Sequence, residues 1–219
     1  MKKVKAFLVL MSIGLFAYAQ PNAGSIVLMG GGGFFTNTQT TNSPNNSIES
    51  KFNQGFVDFG VMYMLMDPLG VGLSLVMNNS SQFLDGKKKF STSLTGARIM
   101  GRYYSPCMAP RFYTYGQLDL SFAGGSQKTF DNDENEIEDE REKVSQFGVG
   151  VRPGFAYFLT PAISLEMSFA ALAWNQTKTT SDNNNDFNTV NSDLEFFAFS
   201  KSLSIGFCWW LGRSGERFN

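Results

Sequence analysis

No histidine occurs anywhere in the 219 residues, only two cysteines are present, and no apolar run after residue 19 is long enough to cross a bilayer as a helix. The first absence removes the side chain used most often as a general base and as a metal ligand near neutral pH. The second removes a disulfide framework: Cys107 in a turn and Cys208 in the last strand allow at most one bridge, and the strands next to them are not neighbours. The third removes a helical membrane bundle, so a chain of this composition that spans a membrane must do so with strands. Basic residues are also in no excess, which gives no footprint for a nucleic-acid partner. What the chain has in quantity is 22 Phe and 22 Gly, with 42% hydrophobic residues overall.

The first residues are set apart from the rest. Lys2, Lys3 and Lys5 precede an apolar stretch from Ala6 to Phe16, and Ala17-Tyr18-Ala19 forms a small-residue site followed by Gln20, Pro21 and Asn22. This pattern predicts a secretory signal peptide over 1–19, cleaved after Ala19. Three of the eighteen Lys and Arg leave with it; fifteen remain against nineteen Asp and Glu, a net charge near −4. The rest, 20–219, is expected to be one domain, with strands over about 25–211 and a short tail at 212–219.

Period-two alternation then recurs, and it predicts eight strands: Ser25 to Thr36, Lys51 to Met66, Gly70 to Met77, Phe90 to Tyr104, Phe112 to Ala123, Val144 to Phe158, Ala162 to Trp174 and Leu194 to Leu211. Short connections carrying turn residues (Asp67-Pro68-Leu69, Ser105 to Pro110, Thr160-Pro161) alternate with long polar ones (Asn37 to Ser50, Asn78 to Lys89, Gly124 to Lys143, Asn175 to Asp193). Even strand number with short turns on one rim and long loops on the other predicts an all-β fold, a transmembrane antiparallel up-and-down β-barrel with its long loops facing outside.

Within the strands one face is apolar and the other small or polar. Val57, Phe59, Val61, Tyr63 and Leu65 alternate with Asp58, Gly60, Met62 and Met64; Ile163, Leu165, Met167 and Phe169 alternate with Ser164, Glu166 and Ser168. The mid-strand charges all take the second face: Asp58, Asp119 and Glu166 against Arg98, Arg102 and Arg152. A basic residue facing lipid at the bilayer midplane costs roughly 2–4 kcal/mol, so three acids and three arginines on one parity predict a salt-bridged lumen. Aromatic residues gather at strand ends (Phe34, Phe35, Tyr63, Tyr103, Tyr104, Phe112, Tyr113, Tyr157, Phe158, Trp174, Trp209, Trp210), which predicts girdles at the two membrane interfaces.

With these strands and a last one ending Phe207-Cys208-Trp209-Trp210-Leu211, the chain resembles the small OmpA/OmpX-type outer-membrane β-barrel proteins over about Ser25 to Leu211. The resemblance implies residence in the bacterial outer membrane, contact with outer-membrane lipid and lipopolysaccharide, and reading of the terminal strand by the barrel-assembly machinery. It implies a structural or surface-exposed barrel and fixes no ligand.

The remaining chemistry is sparse. Small outer-membrane barrel enzymes rely on a His base, and none is available, so catalysis is not expected. No cofactor is expected. The acidic stretch Asp131 to Glu142 places Asp131, Asp133, Asn135 and Glu142 at a spacing akin to a Ca²⁺ loop, but Glu136 stands where the sharp turn needs Gly, so only weak bridging of divalent cations is expected there. Gly30 to Gly33 has no Lys-Ser/Thr after it and no helix, which excludes a phosphate loop. Three functions follow in order of preference: a non-enzymatic barrel presenting long loops for envelope integrity or surface binding of an unknown extracellular ligand; a narrow porin-like channel; and a secreted, soluble lipocalin-like ligand-binding barrel.

Overall fold

The computed structural model describes residues 21–43, 46–107, 111–131, 135–137, 141–169, 172–181, 188–196 and 203–212. The proposed leader over 1–19 lies outside them. Every regular element among the described residues is a strand: β1 (Ile26–Ser43), β2 (Asn46–Met66), β3 (Leu69–Leu84), β4 (Lys87–Pro106), β5 (Phe112–Thr129), β6 (Glu142–Thr160), β7 (Ile163–Ser168), β8 (Leu172–Ser181), β9 (Asn188–Phe196) and β10 (Ser204–Leu211). Neighbours pair antiparallel from β1 round to β7, β7 pairs with β10, and β10 returns to β1 with Ile26 opposite Leu211. Eight strands close the ring. No sheet edge is left where it closes, as strands that cross lipid require.

Ten strand segments are present because the seventh and eighth expected strands are each interrupted. β6 carries β7 on one half (Gly154 opposite Ser168) and β8 on the other (Val151 opposite Leu172), so three steps along β6 match four along its partner. The one-residue mismatch between the two ladders leaves β8 on the same edge of β6 as β7. β9 pairs with β8; among the described residues β1 beyond Gly32 is bonded only to β2.

The expectation of four long loops is corrected. Asn37 to Ser43 continues β1 and pairs with Asn46 to Phe52 of β2. The stretch read as a loop from Asn78 to Lys89 is the end of β3 and the start of β4, joined by a two-residue hairpin in which Asp85 (φ 49°) and Gly86 (φ 78°) both lie in the left-handed region, as a type I′ turn requires. β5 likewise runs to Thr129 and β6 starts at Glu142. The physical reason is that an antiparallel ladder satisfies backbone groups whatever side chains it carries. Thr-, Asn- and Ser-rich extensions with no apolar face give period-two reading nothing to detect.

The outer face is apolar where the eight strands are all present. Val57, Phe59, Val61, Tyr63 and Leu65 of β2 and Val71, Leu73, Leu75 and Met77 of β3 all point outward and are exposed, as are Ile163, Leu165 and Met167 of β7 and Ile205, Phe207 and Trp209 of β10. From Val57 to Leu65 the strand rises ~27 Å at ~3.4 Å per residue, or about 21 Å along the barrel axis at a tilt of ~40°. That height approaches the ~25 Å apolar band of an outer-membrane barrel, and a water-soluble ligand-binding barrel would carry polar side chains there instead. β2, with 21 residues, continues well beyond this band as polar sequence.

Adjacent aromatics in a strand cannot share a face, so the aromatic girdles form from only part of the expected residues. Tyr63, Tyr103, Tyr157 and Trp209 point outward near the short-turn end, whereas Tyr104, Tyr113, Phe158 and Trp210 are buried inside.

Candidate functional site

The interior is built in three layers by the inward-facing parity. Nearest the short turns, Val27, Met62, Met64, Tyr104, Tyr113, Phe158, Cys208 and Trp210 fill the bore as one apolar cluster. Its rings interlock: Trp210 meets Phe158 at 5.2 Å and Tyr104 at 5.6 Å, and Tyr113 meets Phe158 edge-on at 5.5 Å. The buried indole N–H of Trp210 donates to Ser164 Oγ at 3.0 Å. An eight-stranded barrel is just wide enough for side chains to fill, and here they do. Cys208 belongs to this cluster and Cys107 is exposed at the rim; both are free thiols.

Above the apolar cluster lies a layer of charge. Arg102 on β4 reaches across the bore to Glu166 on β7, Nη1 to Oε2 at 2.5 Å, and also donates to Tyr104 Oη at 2.9 Å and, through Nε, to Gln117 Oε1 at 2.7 Å. The Tyr104 hydroxyl donates in turn to Glu166 Oε1 at 3.2 Å. Gln117 passes the chain of bonds on to Asp119 Oδ1 at 2.5 Å, and Asp119 Oδ2 faces Arg152 Nε at 2.5 Å. Arg102, Gln117 and Arg152 are directly opposite one another on β4, β5 and β6, and the Gln117 amide links Arg102 to Asp119, the partner of Arg152. The Arg102 guanidinium also lies over the Tyr115 ring at 4.2 Å from its centre. One step further out, Arg98 Nη1 bonds Asp58 Oδ2 at 2.9 Å.

The six charged residues read from the sequence are thus placed as three ion pairs: Asp58 with Arg98, Glu166 with Arg102, and Asp119 with Arg152. Each acid has a glycine directly across the ladder: Gly31 opposite Asp58, Gly150 opposite Asp119 and Gly206 opposite Glu166. At Gly31 a Cβ would stand 3.0 Å from Asp58 Oδ1, so the absence of a side chain there makes room for the carboxylate. Gly154 does the same for Tyr115, whose ring occupies the space a Cβ would take. Gln117, Tyr104 and Tyr115 escaped a reading based on charge alone. Their signal was parity, since they share the inward face with Arg102 and Asp119.

The third layer is open. Beyond Arg98 and Arg152 the bore widens into a cavity of about 470 Å³, whereas the space among the ion pairs is only about 50 Å³. Its wall carries Phe35, Phe52 and Phe56 on β1 and β2, and Gln54, Asn78, Gln146 and Asn175 from four strands.

Of the residues proposed for a cation loop, Asp133 lies outside the described residues. Asp131 Oδ1 accepts the Asn135 backbone N–H at 2.9 Å, and Glu142 Oε2 accepts from Gln127 Nε2 at 3.3 Å on the strand pair below. Among the described residues no group of acidic, Cys or His side chains is arranged to hold a metal.

Comparison with known proteins agrees with this architecture. The model of the outer membrane protein beta-barrel domain family matches residues 6–196. The outer membrane protein OprG from Pseudomonas aeruginosa is similar in structure, with a TM-score of 0.53 at 15% identity, covering 90% of this chain and 100% of that one. Neisserial surface protein A (NspA) aligns with a TM-score of 0.41 at 14% identity over 85% of this chain and 97% of its own. No curated protein matches the sequence.

Proposed function

Because the chain belongs to the outer membrane protein beta-barrel domain family, we propose that it is a closed, non-conducting anchor in the bacterial outer membrane that holds polar hairpins outside the cell, for envelope integrity or surface binding. The observation that carries this reading is the filled bore: Val27, Met62, Met64, Tyr104, Phe158 and Ser164 are each less than 2% exposed and lie in one plug beneath the ion pairs. Water and ions have no continuous path through such packing. The hairpins β1–β2, β3–β4 and β8–β9 extend as paired strands past the apolar band, stiffer display elements than loops would be. They face outward from the cell in this proposal, with the short turns in the periplasm, and lipopolysaccharide surrounds their base. The barrel-assembly machinery inserts the chain by reading β10. The reading is non-enzymatic because Asp58, Asp119 and Glu166 are all engaged by arginines and no His is present to act as base.

Planar-bilayer recording of the heat-modifiable, folded protein tests it. The expected trace is flat at moderate voltage, and truncation of the plug by Phe158→Ala with Trp210→Ala is expected to produce conductance. Steady unit conductance of the unmodified protein would replace the anchor with the narrow channel.

A further inference from the structure

The outer cavity has the chemistry of a binding cup. Its floor is made by Arg98, Arg152 and Asp119, and the charges there are already matched, Arg98 with Asp58 and Arg152 with Asp119. The floor therefore exerts little pull on a free ion. One wall is aromatic: Phe56 and, four residues along the same strand, Phe52, whose ring lies 6.5 Å from that of Phe35. The other wall presents amides. Gln146 of β6 and Asn175 of β8 line the cavity and hydrogen-bond to no described side chain. Gly148 leaves room for this amide, since a Cβ there would stand 2.6 Å from Asn175 Oδ1. On the floor Arg98, only 6% exposed, keeps its Nε buried and without a hydrogen-bond partner.

We infer that this cup binds a small uncharged polyhydroxylated ligand, a mono- or disaccharide. An amide offers a donor and an acceptor side by side, which matches neighbouring hydroxyls, and each buried amide left unpaired by an apolar ligand would cost free energy. The phenyl faces cover the C–H face of a sugar ring while the amides take its rim, the division of labour usual in small-molecule sites of this size. Asp193 also lines the wall, opposite Asn175, where its carboxylate accepts from ligand hydroxyls; a zwitterion would need a free cation as well, and Arg98 and Arg152 are already held by Asp58 and Asp119.

The inference goes beyond the anchor reading and is tested apart from it. The test is saturation-transfer NMR on the whole protein in phosphatidylcholine nanodiscs, with glucose, maltose, glycine and hexanol as probes; sugar-headed detergents are avoided because they would occupy the cup. Saturation transfer to glucose or maltose is expected, with at least tenfold weaker binding in Asn175→Leu and in Phe56→Ala, both still heat-modifiable on gels. Loss in both variants with folding retained supports the cup. Absence of transfer to either sugar, transfer unchanged in both variants, or preference for glycine or hexanol overturns it. Conductance is read separately, so a conducting barrel that still binds sugar through Asn175 and Phe56 sinks the anchor and leaves the cup standing.

Discussion

Glu166→Gln is the sharpest test of the interior. In the folded barrel Arg102 and Glu166 are each 6% exposed and meet at 2.5 Å. Removing the negative charge leaves the Arg102 guanidinium with Gln117, Tyr104 and the Tyr115 face but no counter-ion. Stripping one partner from a buried pair costs about 3–5 kcal/mol, more than a hundredfold in the folding equilibrium. The double variant Arg102→Met with Glu166→Leu removes both charges at similar volume and should recover most of that loss, because the desolvation of both ions disappears with their attraction. Urea titration of folding into phosphatidylcholine vesicles, followed by Trp fluorescence and by the gel mobility of unboiled protein, measures both variants and the unmodified protein in one series. A loss below ~1 kcal/mol for Glu166→Gln would mean that the pair is well hydrated, and the account of a sealed, low-dielectric layer would be wrong.

Other positions test the wall, the packing and the exposure of the thiols. Leu75→Arg, on a lipid-facing side chain of β3, should cost ~2–4 kcal/mol by the same titration, while Asn79→Arg, on the same face but past the band, should cost about 0–1 kcal/mol; equal effects would remove the proposed band limits. Gly154→Ala should destabilise by about 1–3 kcal/mol because its Cβ would overlap the Tyr115 ring, and Tyr115→Leu in the same chain should relieve part of that loss, which the unfolding midpoint will report. A maleimide should label Cys107 in the folded protein and reach Cys208 only after boiling; rapid labelling of Cys208 in the folded state would show that the apolar plug opens.

The wall of this barrel was legible because it is set by period two. In β2, Val57 to Leu65 alternate with Asp58 to Met64, and this fixes which side chains meet lipid without any knowledge of neighbours. The same parity placed Asp58, Arg98, Arg102, Asp119, Arg152 and Glu166 inside. It did not reveal which acid would meet which arginine, because Arg102 finds Glu166 across the bore and not beside it in the ladder. Strand length was misread wherever both faces are polar, as from Asn37 to Ser43. At Asp85-Gly86 the sequence held a usable sign, since that dipeptide favours the two-residue hairpin it forms. The open cup was invisible for another reason: it is defined by what Gly148 and the neighbouring small residues leave unfilled, and empty space has no residue type.

The glycine-backed ion pairs also bear on how such a wall assembles. Asp58 and Arg98 sit on β2 and β4 with β3 between them, and Arg102 and Glu166 on β4 and β7 with two strands between. No hairpin formed alone can match these charges. A half-inserted, still flat sheet would carry solitary ions into the bilayer interior, whereas the curled and sealed ring cancels two of the three pairs at a stroke. Partial barrels are thereby penalised by the same residues that fasten the finished one.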